Sequence, residues 1–432
     1  MPVTLSHDQD DFETRFAALL TLKRETSEDV DAAAAAIIEE VRRDGDAALI
    51  RLTERYDRLS LTPETLAFSA AEIDAAVAQV PAAERAALEL AAQRIRAYHE
   101  RQKPADARWT DAAGVGLGWR WTAVDAAGLY VPGGTASYPS SVLMNAIPAQ
   151  VAGVKRLAMC APTPGGAVNP LVLLAARLAG VGTVYRIGGA QAVAAMAYGT
   201  ETVAPVDKIT GPGNAWVAAA KRRVFGHVGI DSIAGPSEVL VIADGSQNAD
   251  WIAADLMAQA EHDVAAQSIL MTPDAGFAAE VGRAVERLLQ RMARAEIAGA
   301  SWRDNGALVV VRDLDHAAEL ADRVAAEHLE LCVADPEALA AKIRHAGAIF
   351  LGATTPEAVG DYVGGPNHVL PTSRAARFSS GLSVLDFMKR TTLLSVPPAA
   401  LRAVGPAAAT LAASEGLEAH GLSVLARLGE AS

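Results

Sequence analysis

The stretch LMAQAEHDVAAQS, residues 256–268, sets Gln259 and His262 three positions apart in an alanine-rich run with helical spacing. At about 100° per residue, Ile252, Leu256, Ala260 and Val264 share one stripe, and Gln259 and His262 fall about 60° apart at its edge. A polar pair there needs partners. Side chains at i and i+3 can hold one metal ion, with Asp263 a rival oxygen on the same side, while a histidine held by a local hydrogen bond is the simpler use of these residues. In AAEHLELCV, Glu327 and His328 stand adjacent where a helix gives way to a strand, and a carboxylate beside an imidazole can supply a general base and activate water. Asp361 and His368 flank the glycine-proline turn of DYVGGPNHVLPT, and Glu415 and His420 close EGLEAH. Oxygen and imidazole donors spread over several regions are what a mixed zinc site draws on, although helix caps and solvated pairs would account for each singly.

Three glycine-rich turns add a second kind of chemistry: YVPGGTASYPSS (130–141), IGGAQA (187–192) and ITGPGNAW (209–216). Glycine turns at strand ends expose backbone N–H groups and helix N-termini to anions. None matches G-x-G-x-x-G or a P-loop, so each alone is a turn, and the three together suggest one anion or nucleotide crevice.

Positioning these residues requires an α/β framework. Residues 1–103 have helical apolar spacing, and GVGLGWRWTAVDAAGLYV alternates as a strand pair would. From about 130 onward, short apolar strands alternate with amphipathic helices, first through KRLAMCA, TVYRIGG and VDKIT, then through SEVLVIA, SILMT, ALVVV and LELCV. That grammar gives parallel βαβ units. Two blocks of it predict two incomplete Rossmann-like domains with parallel sheets, related by duplication. The expected division is a helical segment 1–103, a first α/β domain from 104–129 and 237–380 carrying the metal and acid/base residues, a second from 130–236, and a helical tail 381–432.

The chain has 432 residues, 51% hydrophobic and 21% charged, with a net charge of −13. It is long enough for more than one core. The acidic balance, without a basic block, argues against a nucleic-acid partner. The N-terminal stretch has neither a basic nor an apolar targeting segment and no run reaches membrane length, so no membrane partner and a cytoplasmic location are expected. Cys160 and Cys332 sit in apolar runs and read as buried thiols.

Taken in order, VRRDGDAALIRLTERYD, GLYVPGGTASYPSSVLMNAIPAQVAGV, RIGGAQAVAAMAYGT, KITGPGNAWVAAAKR, IDSIAGPSEVLVIAD, ADLMAQAEHD, AAEHLEL, GDYVGGPNHVLPT and EGLEAH resemble the histidinol dehydrogenase family over nearly the whole chain. That resemblance implies a zinc-dependent, intertwined homodimer that oxidises L-histidinol to L-histidine with two NAD⁺ through a retained aldehyde, the last step of histidine biosynthesis. It implies metal ligands Gln259, His262 and Asp361, with His420 from the partner's tail. Glu327 and His328 become the acid/base pair. Ser237, His368 and Glu415 join the metal ligands and His328 as substrate contacts, and Tyr130, Gln191 and Asn214 contact the cofactor. A relative acting on another amino alcohol or diol, and a zinc hydrolase using Glu327 to activate water, are the alternatives the same residues allow.

Overall fold

The computed structural model describes residues 2–21, 28–132, 138–233 and 235–429. Strand β1 (Val3–Ser6) opens the chain, ahead of a run of helices. Next come β2 (Ala107–Thr110) and β3 (Gly116–Ala123), then β4 (Ala126–Tyr130), β5 (Arg156–Cys160), β6 (Thr183–Tyr185), β7 (Lys208–Thr210) and β8 (Gly229–Ile230). A second series holds β9 (Glu238–Ala243), β10 (Gln267–Thr272), β11 (Ala307–Val310), β12 (His328–Cys332) and β13 (Ala348–Leu351), and β14 (Met388–Ser395) follows.

These strands form a five-stranded sheet in the order β6-β5-β4-β7-β8 and a six-stranded sheet in the order β1-β11-β10-β9-β12-β13. Both sheets are parallel throughout. Each is built outward from its first main strand in the same sense, so the two share one strand order once β1 is set aside. Apolar side chains alternate between faces. Ala127, Leu129, Leu157 and Met159 enter one core, and Ala126, Tyr130, Ala158 and Cys160 enter the other. In the larger sheet Leu240, Ile242, Leu329 and Leu331 oppose Val239, Val241 and Cys332. Strands covered on both faces read as continuous apolar runs.

Three expectations about organisation need correction. The helical segment 1–103 contributes β1, which pairs with β11 at the edge of the six-stranded sheet. Residues 104–129 do not join 237–380. Strands β2 and β3 pair antiparallel with β14 in a separate three-stranded sheet, whereas β4 is the central strand of the five-stranded one. The chain turns between β3 and β4 because the Asp207 carboxylate accepts the N–H groups of Asp125 and Ala126 at 3.0 and 2.9 Å. The tail from 381 is not wholly helical, since Val384 and Phe387 are buried in the core and β14 precedes the helices Pro398–Ser414 and Glu418–Leu428. No helix of the described residues is long and apolar enough to cross a membrane. Cys160 and Cys332 are free and buried, as expected.

Candidate active site

The helix Ala249–Ala260 starts at Asn248, whose Oδ1 accepts the Asp250 N–H at 2.9 Å. It buries Ile252, Leu256 and Ala260 against β9 and β10 and ends there, earlier than the helical spacing of the whole stretch predicts. Val264 therefore leaves the stripe and is exposed. Gln259 is fully buried, and neither its Oε1 nor its Nε2 finds a hydrogen-bond partner. His262 lies just beyond the helix end, exposed, its N–H bonded to the Gln259 carbonyl at 3.2 Å.

Glu327 and His328 lie at the amino end of β12, beside the amino end of β9. Ligands of open α/β sheets usually meet the carboxyl ends of strands; here the amino edge of the six-stranded sheet carries the groups. His328 Nδ1 is 3.2 Å from the Glu238 carbonyl oxygen. A carbonyl only accepts, so Nδ1 carries the hydrogen and Nε2 is left as a buried, unpartnered acceptor. Burial pushes the imidazole down to about 4, against the opposing pull of Asp361. Glu327 is driven the other way, up to about 8, first by burial and then by the Glu238 and Asp361 charges, opposed by hydrogen bonds from the Glu238 N–H and the Ser237 side chain. Ser237 thus sits against Glu327.

Asp361 lies on the short helix Glu357–Tyr362. Its carbonyl accepts from His368 Nδ1 at 2.9 Å, and His368 Nε2 is 3.4 Å from Ser141 Oγ. Asn367, next in the chain, is locked by donating to the Met144 carbonyl at 2.6 Å and by contact with His99 Nε2 at 3.2 Å. Among the described residues the donors that converge, all within 4.8 Å, are those of His328, Glu357 and Asp361. Glu357 was not foreseen. Its Oε1 is 3.4 Å from His328 Nδ1, and burial and four neighbouring carboxylates hold it well above the ordinary range. The signal for it was the spacing Glu357-x-x-x-Asp361, four positions on one helix face.

Glu415 and His420 are not among the residues that converge with this cluster. Glu415 ends the helix Pro398–Ser414, His420 lies on Glu418–Leu428, and both are exposed on a hairpin whose helices pack on each other.

The three glycine turns follow β4, β6 and β7 in sequence, whose carboxyl ends lie along one edge of the five-stranded sheet, with strand order reversing between β4 and β7. Residues 133–137 of the first turn lie outside the described residues. Buried Tyr130, ending β4, accepts the Gly189 N–H on its hydroxyl at 3.1 Å, and the Gln191 amide folds over that same turn. Asn214 caps the helix Ala215–Val224, its Oδ1 accepting from Trp216 and Val217 at 3.1 and 3.2 Å. Beside Tyr130 a cleft of about 660 Å³ is lined by Phe68, Val131, Pro132, Pro162, Thr163 and Asn169, among others.

The family model for histidinol dehydrogenase matches residues 20–428. The chain is 72% identical to histidinol dehydrogenase from Cereibacter sphaeroides and 71% identical to that from Ruegeria pomeroyi, each over 99% of both chains. The crystal structure of histidinol dehydrogenase from Elizabethkingia anophelis superposes with a TM-score of 0.95 at 36% identity, covering 99% of this chain and 98% of the other. With that agreement in sequence and fold, the chain belongs to the histidinol dehydrogenase family.

Proposed function

We propose that this protein oxidises L-histidinol to L-histidine, with two NAD⁺ as hydride acceptors and one divalent zinc per site, acting in the cytoplasm as a homodimer with shared sites. The observation that carries the reading is the His328 imidazole, neutral, oriented through Nδ1 and presenting a buried Nε2 lone pair beside Glu327. The two free, buried cysteines suit a reducing compartment.

The residues fit a metal of mixed N/O preference. Both polar atoms of the fully buried Gln259 amide lack a protein partner, which is costly unless a ligand takes one of them. Gln259, His262, Asp361 and the partner subunit's His420 are the proposed holders. The hairpin that carries His420 exposes Leu411, Leu417 and Leu422, apolar surface that a second copy would cover. The common strand order of the two sheets supports an origin by duplication.

When bound, zinc supplies a fixed anchor for the substrate's nitrogen donors, and NAD⁺ accepts the hydride. Everything else falls to side chains. His328 Nε2 takes the hydroxyl proton while the carbinol carbon gives up hydride, leaving the aldehyde. Glu327, in its carboxylate form, draws a proton from water as that water adds to the aldehyde, and His328 returns its proton to the former carbonyl oxygen, so the hydrate forms with His328 neutral again. His328 then takes a proton from the hydrate as the second hydride departs. Ser237 and the Glu238 N–H hold Glu327 in place. Ser237, His368 and Glu415 are the further substrate contacts. Tyr130, Gln191 and Asn214 are assigned to NAD⁺, a reading supported by helix N-termini at two of the turns and by the adjoining cleft.

Purified protein given L-histidinol, NAD⁺ and Zn²⁺ tests the proposal. NADH must appear, and must cease when the metal is chelated. Hydrolysis of esters or amides without NADH would favour the zinc hydrolase, and turnover confined to another amino alcohol would move the substrate assignment.

A further inference from the structure

Lys221 is only 2% exposed, on the helix that Asn214 caps, and it pairs with Asp231, whose side chain is 4% exposed. Burying two charges returns little net stability, and a well-packed apolar pair would serve a core equally well. What the pair holds is one residue. Lys221 Nζ donates to the Gly211 carbonyl at 3.0 Å, and Asp231 Oδ2 accepts the Gly211 N–H at 2.8 Å. Both polar groups of Gly211 are thereby fixed by opposite ends of one ion pair.

Gly211 has φ +117°, and a Cβ there would lie 2.0 Å from the Tyr130 carbonyl oxygen, so the turn after β7 is pressed against the end of β4. Tyr130 in turn holds the Gly189 turn through its hydroxyl. Asn214 follows Gly211 by three residues. A tilt of either peptide plane at Gly211 would move Asn214 and the helix N-terminus relative to Tyr130.

We propose that Lys221 and Asp231 form an internal clamp that presets the Gly211–Asn214 turn for a dinucleotide, as positioning residues that never touch it. This rests on the assignment of NAD⁺ to that turn. Lys221 is buried with its Nζ committed to Asp231 and the Gly211 carbonyl, so its charge serves the backbone and not the cofactor's phosphates.

The test compares two double variants, Lys221→Met/Asp231→Asn and Lys221→Gln/Asp231→Asn, in the full-length protein. Both remove the buried charges and keep an oxygen acceptor for the Gly211 N–H. Only the glutamine restores a donor to the Gly211 carbonyl. The methionine variant should bind NAD⁺ on the order of tenfold more weakly by calorimetry, with the KM for L-histidinol unchanged. The glutamine variant should recover wild-type affinity. Amide exchange in residues 211–214 should quicken in the first and not in the second, a readout that also serves if the methionine variant is less stable. Equal NAD⁺ affinity in the wild type and the methionine variant would overturn the clamp. Asn214→Asp, which keeps the helix cap but sets a negative charge beside an anionic cofactor, separates the two levels. If it weakens NAD⁺ binding while the methionine variant does not, the clamp alone fails. If it leaves binding unchanged, the NAD⁺ assignment fails and the clamp falls with it.

Discussion

The Nδ1 of His328 lies 3.2 Å from the carbonyl oxygen of Glu238, which leaves Nε2 buried and without a partner. That relationship fixes the tautomer of a base at the amino edge of the sheet. His328→Asn should lower kcat by about a thousandfold with L-histidinol, and comparably with L-histidinal, because one base serves both oxidations. Steady-state assays on the two substrates check this. Normal aldehyde oxidation in the variant would confine His328 to the first step.

Gln259 has a measurable cost when no metal is bound. Two orphaned amide atoms in a buried side chain destabilise the metal-free protein by about 1–3 kcal/mol. Gln259→Met should therefore be more stable than wild type in chelator. Added Zn²⁺ should stabilise wild type by mass action and have far less effect on the variant. Thermal or denaturant melts with and without metal decide it, and equal zinc stabilisation of the two proteins would remove Gln259 from the ligand set.

A buried acid pair makes stability fall at high pH. Glu330, on the same face of β12 as His328, is pushed up to about 8 by burial and then by the charge of Asp255 on the helix Ala249–Ala260, Asp255 itself is pushed up to about 6 by burial, and Glu330 Oε1 accepts the Glu357 N–H at 2.7 Å. Burial raises both carboxyls, so the folded chain keeps a proton that the unfolded chain releases. The resulting stability is fully present below the ordinary carboxylate range and is lost as pH rises through the raised values. Within that window the slope is about −1.4 kcal/mol per pH unit for each retained proton. Glu330→Gln should reduce that slope by about one proton's worth between about pH 5 and 8, leaving the parts that Glu327 and Glu357 supply. Parallel slopes for wild type and variant in urea melts would show that Glu330 ionises normally.

The proposed sharing of sites across a dimer has a sharp test. A chain carrying His262→Asn and one carrying His420→Asn should each be nearly inactive alone. In a mixed dimer, one site collects both defects and the other neither, so activity should return to about half of wild type. Inactive mixed dimers, verified as such by mass, would place His420 in its own chain's site.

Much of this was legible in the sequence. The alternation of apolar strands with helices gave two parallel sheets, and the order of motifs linked Gln259, His262, Glu327, His328 and Asp361 before any geometry. Periodicity says which residues form a strand and is silent on which sheet receives it. That is why β3 and β4, separated only by Val124 and Asp125 and alike in pattern, read as a pair, when the Asp207 carboxylate sends them into different sheets. The short β1 was lost among helices because four residues carry little period. Glu357 and Glu330 escaped notice because a glutamate reads as solvated until its burial is seen.

The central claim is a four-electron oxidation at one site, and the ratio of NADH formed to L-histidinol consumed tests it most directly. With zinc present and NAD⁺ in excess, roughly two NADH should form for each substrate molecule, with L-histidine as product and no aldehyde trapped in solution. A ratio near one with free aldehyde accumulating would contradict it.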